Sequence, residues 1–202
     1  AAFVHHESLV GFAGIGLIEE GVKLVVLWLM ARRLGRWTVR DGMVLGATVG
    51  FGFAAFESAG YAFQALFTAH GGLSLLDVVE TELLRGILTP FGHGLWTAVI
   101  GAALFAVAAR RGWTRLRAWP VAGAYLLVAG LHALWDASNL VASYLTLYLT
   151  GTPAQWDEAR NGAAITATAG QVHLDAVLNF TLPMADALIG VALAAVIAVH
   201  IR

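Results

Sequence analysis

The sequence predicts an all-α, polytopic transmembrane helical bundle with five clear spans plus one short amphipathic or re-entrant helix. Three observations carry that reading. Of the 202 residues, 59% are apolar and only 12% charged, with a mean hydropathy of +0.75. A soluble domain of this size has about 25% charged residues, because its surface must face water. Half that fraction leaves too little polar surface, so lipid must cover the remainder. The apolar residues gather into stretches near the roughly 20 residues that cross a bilayer as a helix. The arginines gather in the connections between those stretches.

In chain order the expected spans are residues 9–31, 42–69, 87–109, 119–149 and 180–201. Residues 73–85 are too short and too acidic to span, and are read as the amphipathic or re-entrant helix. Lys and Arg accumulate on cytoplasmic loops. Arg32, Arg33, Arg36 and Arg40 follow the first span, and Arg110, Arg111, Arg115 and Arg117 follow the third. Five spans put both clusters on one side, with the N-terminus outside and the segments 32–40 and 110–117 in the cytoplasm. The opposite loops carry Asp77, Glu80, Glu82 and Arg85, then Asp157, Glu158 and Arg160.

Glycines within the spans, such as Gly46, Gly50, Gly52 and Gly60, suit close helix packing. The polar segment 151–172 is expected to be a loop. No internal repeat divides the chain, which is read as one membrane-embedded domain over 1–202.

Several function classes fall away. The net charge is −1 and no basic run interleaves with aromatics, so no nucleic-acid partner is expected. With no cysteine there is no disulfide framework, thiol nucleophile or Cys-based zinc site. The opening hydrophobic stretch lacks a basic n-region and holds two glutamates, unlike a signal peptide.

What remains is a set of ionisable residues inside the spans. Each costs about 2.5–3.5 kcal/mol at mid-membrane on insertion scales, so such residues tend to line a cavity and act there. The first span holds Glu19, Glu20 and Lys23, reading EExxK; the second holds Phe53, Glu57 and Tyr61, reading FxxxExxxY. The third begins TPFGHGLWT around His93, and the fourth holds His132 and Asp136, reading HxxxD, with Asn139 on the same stripe. Residues four apart share a helix face. Glu19 therefore reaches Lys23, whereas Glu20 is rotated by about 100° and need not share that environment. Asp136 is placed to orient the His132 imidazole or to offer a second ligand. Phe53 and Trp135 read as packing or interface residues, and Asp186, in the last span, either lines such a cavity or, by preference, pairs structurally.

These four motifs, in this order, resemble the PrsW family of intramembrane proteases, and also the related prenyl-protein CAAX endopeptidases. The resemblance covers about 125 residues, from Glu19 to about Ser143. Glu57 stands where the CAAX branch has His, which favours the PrsW branch. Family members commonly carry further spans ahead of the EExxK helix, for which this chain has no room; it is expected to be a short member or to lack an N-terminal part. The resemblance implies hydrolysis of peptide bonds in membrane-anchored proteins, such as anti-sigma factors, at the plasma membrane of a prokaryote. It also implies that Glu19, Glu20, His93 and His132 are essential, with Lys23, Glu57, Tyr61 and Asp136 in support.

Peptide hydrolysis needs an activated water, an electrophile for the carbonyl oxygen and a proton donor for the amine. Glu19 or Glu20 is the expected base. His93 and His132 either hold a divalent metal, zinc by preference, with Glu57 or Asp136 completing the set, or stabilise the oxyanion directly. The expected partners are membrane lipid and a membrane-anchored protein or peptide. Two other functions fit buried charge: an ion- or proton-coupled transporter, and a catalytically silent scaffold for another protease.

Overall fold

The computed structural model describes residues 8–34, 38–68, 79, 83, 92–111 and 118–200. Seven helices fill them: α1 Leu9–Ala31, α2 Val39–Thr68, α3 His93–Arg111, α4 Ala118–Asp136, α5 Ser138–Thr150, α6 Pro153–Arg160 and α7 Ala169–His200. No strand occurs among the described residues. The expected helix at 73–85 lies outside them, apart from positions 79 and 83.

Three of these helices are long and apolar enough to cross a membrane: Val39–Phe63 of α2, His93–Arg110 of α3, and α7. The count reaches four if Trp119–Asp136 and Ser138–Thr150 form one bent span, which is fewer than the five expected. Two physical reasons account for the difference. The 23-residue α1 carries Glu19, Glu20 and Lys23 in its middle, which removes it from the plainly apolar class. The stretch expected as a single span at 119–149 breaks at Ala137 and bends by 67°. Asp136, Ser138 and Asn139 flank that break, and such side chains offer the backbone hydrogen bonds that compete with a helix.

The chain divides into two compact units, one of residues 18–128 with 188–202 and the other of residues 1–17 with 129–187. Small residues shape the first. Gly42, Gly46 and Gly50 form a stripe along one face of α2, at the four-residue spacing that keeps them in line. A Cβ on Gly42 would collide with the Gly101 carbonyl, one on Gly46 with that of Thr97, and one on Gly50 with that of His93. The backbones of α2 and α3 therefore run in direct contact, as small residues permit in membranes. The expectation of close packing holds for Gly46 and Gly50. Gly52 and Gly60 instead face open space.

The second unit is held at its polar end by side-chain amides. Thr152 caps α6 in a capping box with Gln155, and Pro153 opens the helix. Gln155 Nε2 donates to Gln171 Oε1 at 3.0 Å, and Gln171 Nε2 returns a bond to Gln155 Oε1 at 3.1 Å. The same amides bind the carbonyls of Thr166 and Thr150 and accept from the amides of Thr168 and Thr152. The segment 151–172 thus contains a short helix stapled to the start of α7.

A buried charge cluster as candidate active site

The first unit contains most of the candidate site residues. On α1, Glu20 and Lys23 are 0% and 1% exposed. The Lys23 ammonium donates to Glu20 Oε1 at 2.6 Å and stands 3.8 Å from Glu19 Oε2. The sequence spacing favours Glu19 as the partner; the tight pair is with Glu20. A lysine reaches back three residues as well as four, and Glu20 lies on the fully buried face, where the attraction is least screened. The Glu19 side chain keeps 23% of its surface.

The glycine stripe brings the start of α3 against α2, and His93 is its first residue. Lys23 Nζ lies 2.7 Å from His93 Nδ1, and Glu57 Oε2 lies 2.9 Å from His93 Nε2. The Phe53 ring sits under the ammonium, 4.2 Å from Nζ to centroid, a cation–π distance. It also flanks the imidazole at 5.7 Å, while Trp96 meets His93 edge-on at 5.9 Å. Phe53 and Glu57 are four residues apart, so one face of α2 delivers both to His93.

The second unit holds His132 and Asp136, with Nε2 and Oδ2 3.4 Å apart across one turn of α4. His132 is 2% exposed and Asp186 of α7 is 1% exposed. Neither Asp186 carboxylate oxygen has a hydrogen-bond partner among the described residues, and the group lies within electrostatic reach of His132. The pairing expected of Asp186 is thus absent as a hydrogen bond among the described residues.

Within the first unit the structure brings together Glu19, Glu20, Lys23, Glu57 and His93. Tyr61 is 45% exposed and turns much of its ring outward, and Asn139 is exposed. Phe53, read from the sequence as a packing residue, stands at the site, and Trp96 escaped the sequence reading as a site neighbour. The four-residue spacing of Phe53 and Glu57 is a signal that places both at one site; Trp96, three residues beyond His93, carries none of comparable strength.

The donor set suits a divalent cation. Imidazole and carboxylate are the ordinary nitrogen and oxygen ligands of zinc, at about 2.0–2.2 Å from the ion, so two ligands of a tetrahedral ion stand about 3.3–3.6 Å apart. His93 Nε2 and Glu57 Oε2, 2.9 Å apart, would need to separate only slightly to share one ion. The model of the PrsW family of intramembrane metalloproteases matches residues 2–156, well over half of the chain. The chain belongs to that family. It is a membrane-embedded peptidase, and its family implies a metal and a peptide or protein substrate. No curated protein and no solved structure matches it.

Proposed function

We propose that the chain, as one protease domain, hydrolyses peptide bonds of membrane-anchored substrates of the anti-sigma-factor kind, at a site within the bilayer built from Glu19, Glu20, His93 and His132. The observation that carries this reading is the buried cluster of Glu20, Lys23 and His93, with Glu57 against His93, within an intramembrane metalloprotease family. Buried ionisable groups in membrane helices are costly and signal function.

Glu19 is the better base of the pair. Its side chain keeps 23% of its surface and stands 3.8 Å from Lys23, whereas Glu20 is locked at 2.6 Å and fully buried. Glu19 takes a proton from water as it attacks the carbonyl carbon, and returns a proton to the amine that leaves. Glu20 holds Lys23 in place. His93 and His132 are the metal-holding imidazoles, with Glu57 beside the one and Asp136 beside the other. A divalent ion there, zinc in our reading, supplies Lewis-acid polarisation of the carbonyl and a more acidic water. Lys23 and Phe53 flank His93.

The arginine-rich segments 32–40 and 110–117 place those loops in the cytoplasm of a prokaryotic cell, with α1 counted as a crossing and the N-terminus outside. The test is metal content by elemental analysis of detergent-purified protein, together with cleavage of a membrane-anchored reporter. About one zinc per chain in the wild type, lost in both His93→Ala and His132→Ala together with cleavage, supports the reading. Zinc that survives both substitutions overturns the proposed ligands. Full cleavage by Glu20→Gln overturns the hydrolytic role of the paired glutamates and favours a scaffold.

A further inference from the structure

We propose that Lys23 is an internal cation that occupies the lone pair of His93, so that a metal ion binds His93 only when the ammonium lets go. The inference rests on the reading above that His93 is a metal ligand.

A neutral imidazole has one nitrogen with a lone pair and one that carries the proton. A lysine ammonium has three donors and no acceptor. With Nζ donating to His93 Nδ1 at 2.7 Å, the lone pair is engaged and the ring proton sits on Nε2, the nitrogen 2.9 Å from Glu57 Oε2. One nitrogen is then occupied and the other protonated. Metal ligation needs a free lone pair on a neutral ring, so the ammonium opposes binding at either nitrogen. It also repels a second positive charge, most strongly where water is excluded.

Lys23 has a seat that does not depend on His93. Glu20 Oε1 lies at 2.6 Å, Glu19 Oε2 at 3.8 Å, and the Phe53 ring centroid at 4.2 Å. The side chain is 0% exposed, so no water competes for its donors. A cation held this firmly sets a threshold for metal loading. It also keeps the carboxylates compensated while no metal is bound, since an unpaired buried charge is strongly destabilising. The EExxK spacing supplies this latch from a single turn of α1, and FxxxE supplies from one face of α2 both the ring beneath the ammonium and the carboxylate beside the imidazole.

The experiment measures zinc affinity of the full chain in detergent micelles, by competition with a chromophoric chelator and with zinc ion alone as the probe. Lys23→Met combined with Glu20→Gln removes both charges of the pair, so neither is left buried alone; circular dichroism and gel filtration establish that it folds. This double variant is expected to bind zinc at least about tenfold more tightly than wild type. Phe53→Leu, which leaves every charge in place, is expected to bind about two- to fivefold more tightly, because the ammonium loses its aromatic seat. Equal or weaker binding by either folded variant overturns the latch. His93→Ala in the double-variant background is expected to abolish the gain. If His93→Ala in the wild-type background leaves zinc affinity unchanged, the failure lies with His93 as a ligand. If His93→Ala weakens binding while the double variant matches wild type, the latch alone fails.

Discussion

The two units each bury a polar cluster, and the clusters differ in kind. Gln155 and Gln171 exchange hydrogen bonds and engage Thr150, Thr152, Thr166 and Thr168, so that both side-chain amides use their donors and acceptors on protein groups. That network is neutral and closed. The cluster of Glu20, Lys23, His93 and Glu57 is ionisable, and His93 there lies between a cation and a carboxylate. A closed neutral network stabilises one arrangement. A buried ion-pair cluster contributes little net stability and becomes costly when one partner is lost. The first is architecture, and the second holds groups that can exchange protons or accept a metal.

The sharpest way to break the comparison is to neutralise one member of each cluster. Glu20→Gln is expected to reduce reporter cleavage by at least about a hundredfold, since it removes one of the paired glutamates and leaves the buried Lys23 ammonium without its 2.6 Å partner. Gln171→Leu is expected to leave the cleavage rate of the folded protein near wild type while lowering stability by about 1–3 kcal/mol, read as thermal unfolding in detergent. Cleavage that falls equally in both variants would erase the distinction. Replacing both glutamines, Gln155→Leu with Gln171→Leu, is expected to cost less than the sum of the single changes, because neither amide is then left unsatisfied.

A second contrast lies within α2. Gly50→Ala puts a methyl group into the His93 carbonyl, forces α2 from α3, and is expected to cost about 1–3 kcal/mol together with activity. Gly52→Ala, facing open space two residues away, is expected to stay within about 0.5 kcal/mol of wild type. Equal effects would mean that the stripe does not position His93. Phe53→Leu is expected to lower stability by about 0.5–2 kcal/mol for the lost cation–π contact.

Much of the site was legible because helical spacing is rigid. EExxK, FxxxE and HxxxD each put their polar residues on one helix face before any tertiary contact is known. The pairings among them were less legible. The four-residue spacing pointed to Glu19 as the partner of Lys23, yet a spacing of three serves as well on a helix, and burial of one face decides for Glu20. Phe53 reads as packing until Lys23 and His93 are brought against it from two other helices. Asp186 reads as a paired residue until its carboxylate is found buried without a hydrogen bond among the described residues.

By itself the sequence determined that the chain is helical, that it belongs in a membrane, and which ionisable residues stand on shared faces, because composition and a period near 3.6 act locally. The tertiary structure decided that the stretch at 119–149 bends at Ala137, that only some glycines meet a neighbouring backbone, and that Lys23 lies against His93. Those outcomes depend on which helices approach and how closely. Approach is set by packing between segments far apart in the chain, which no local spacing encodes.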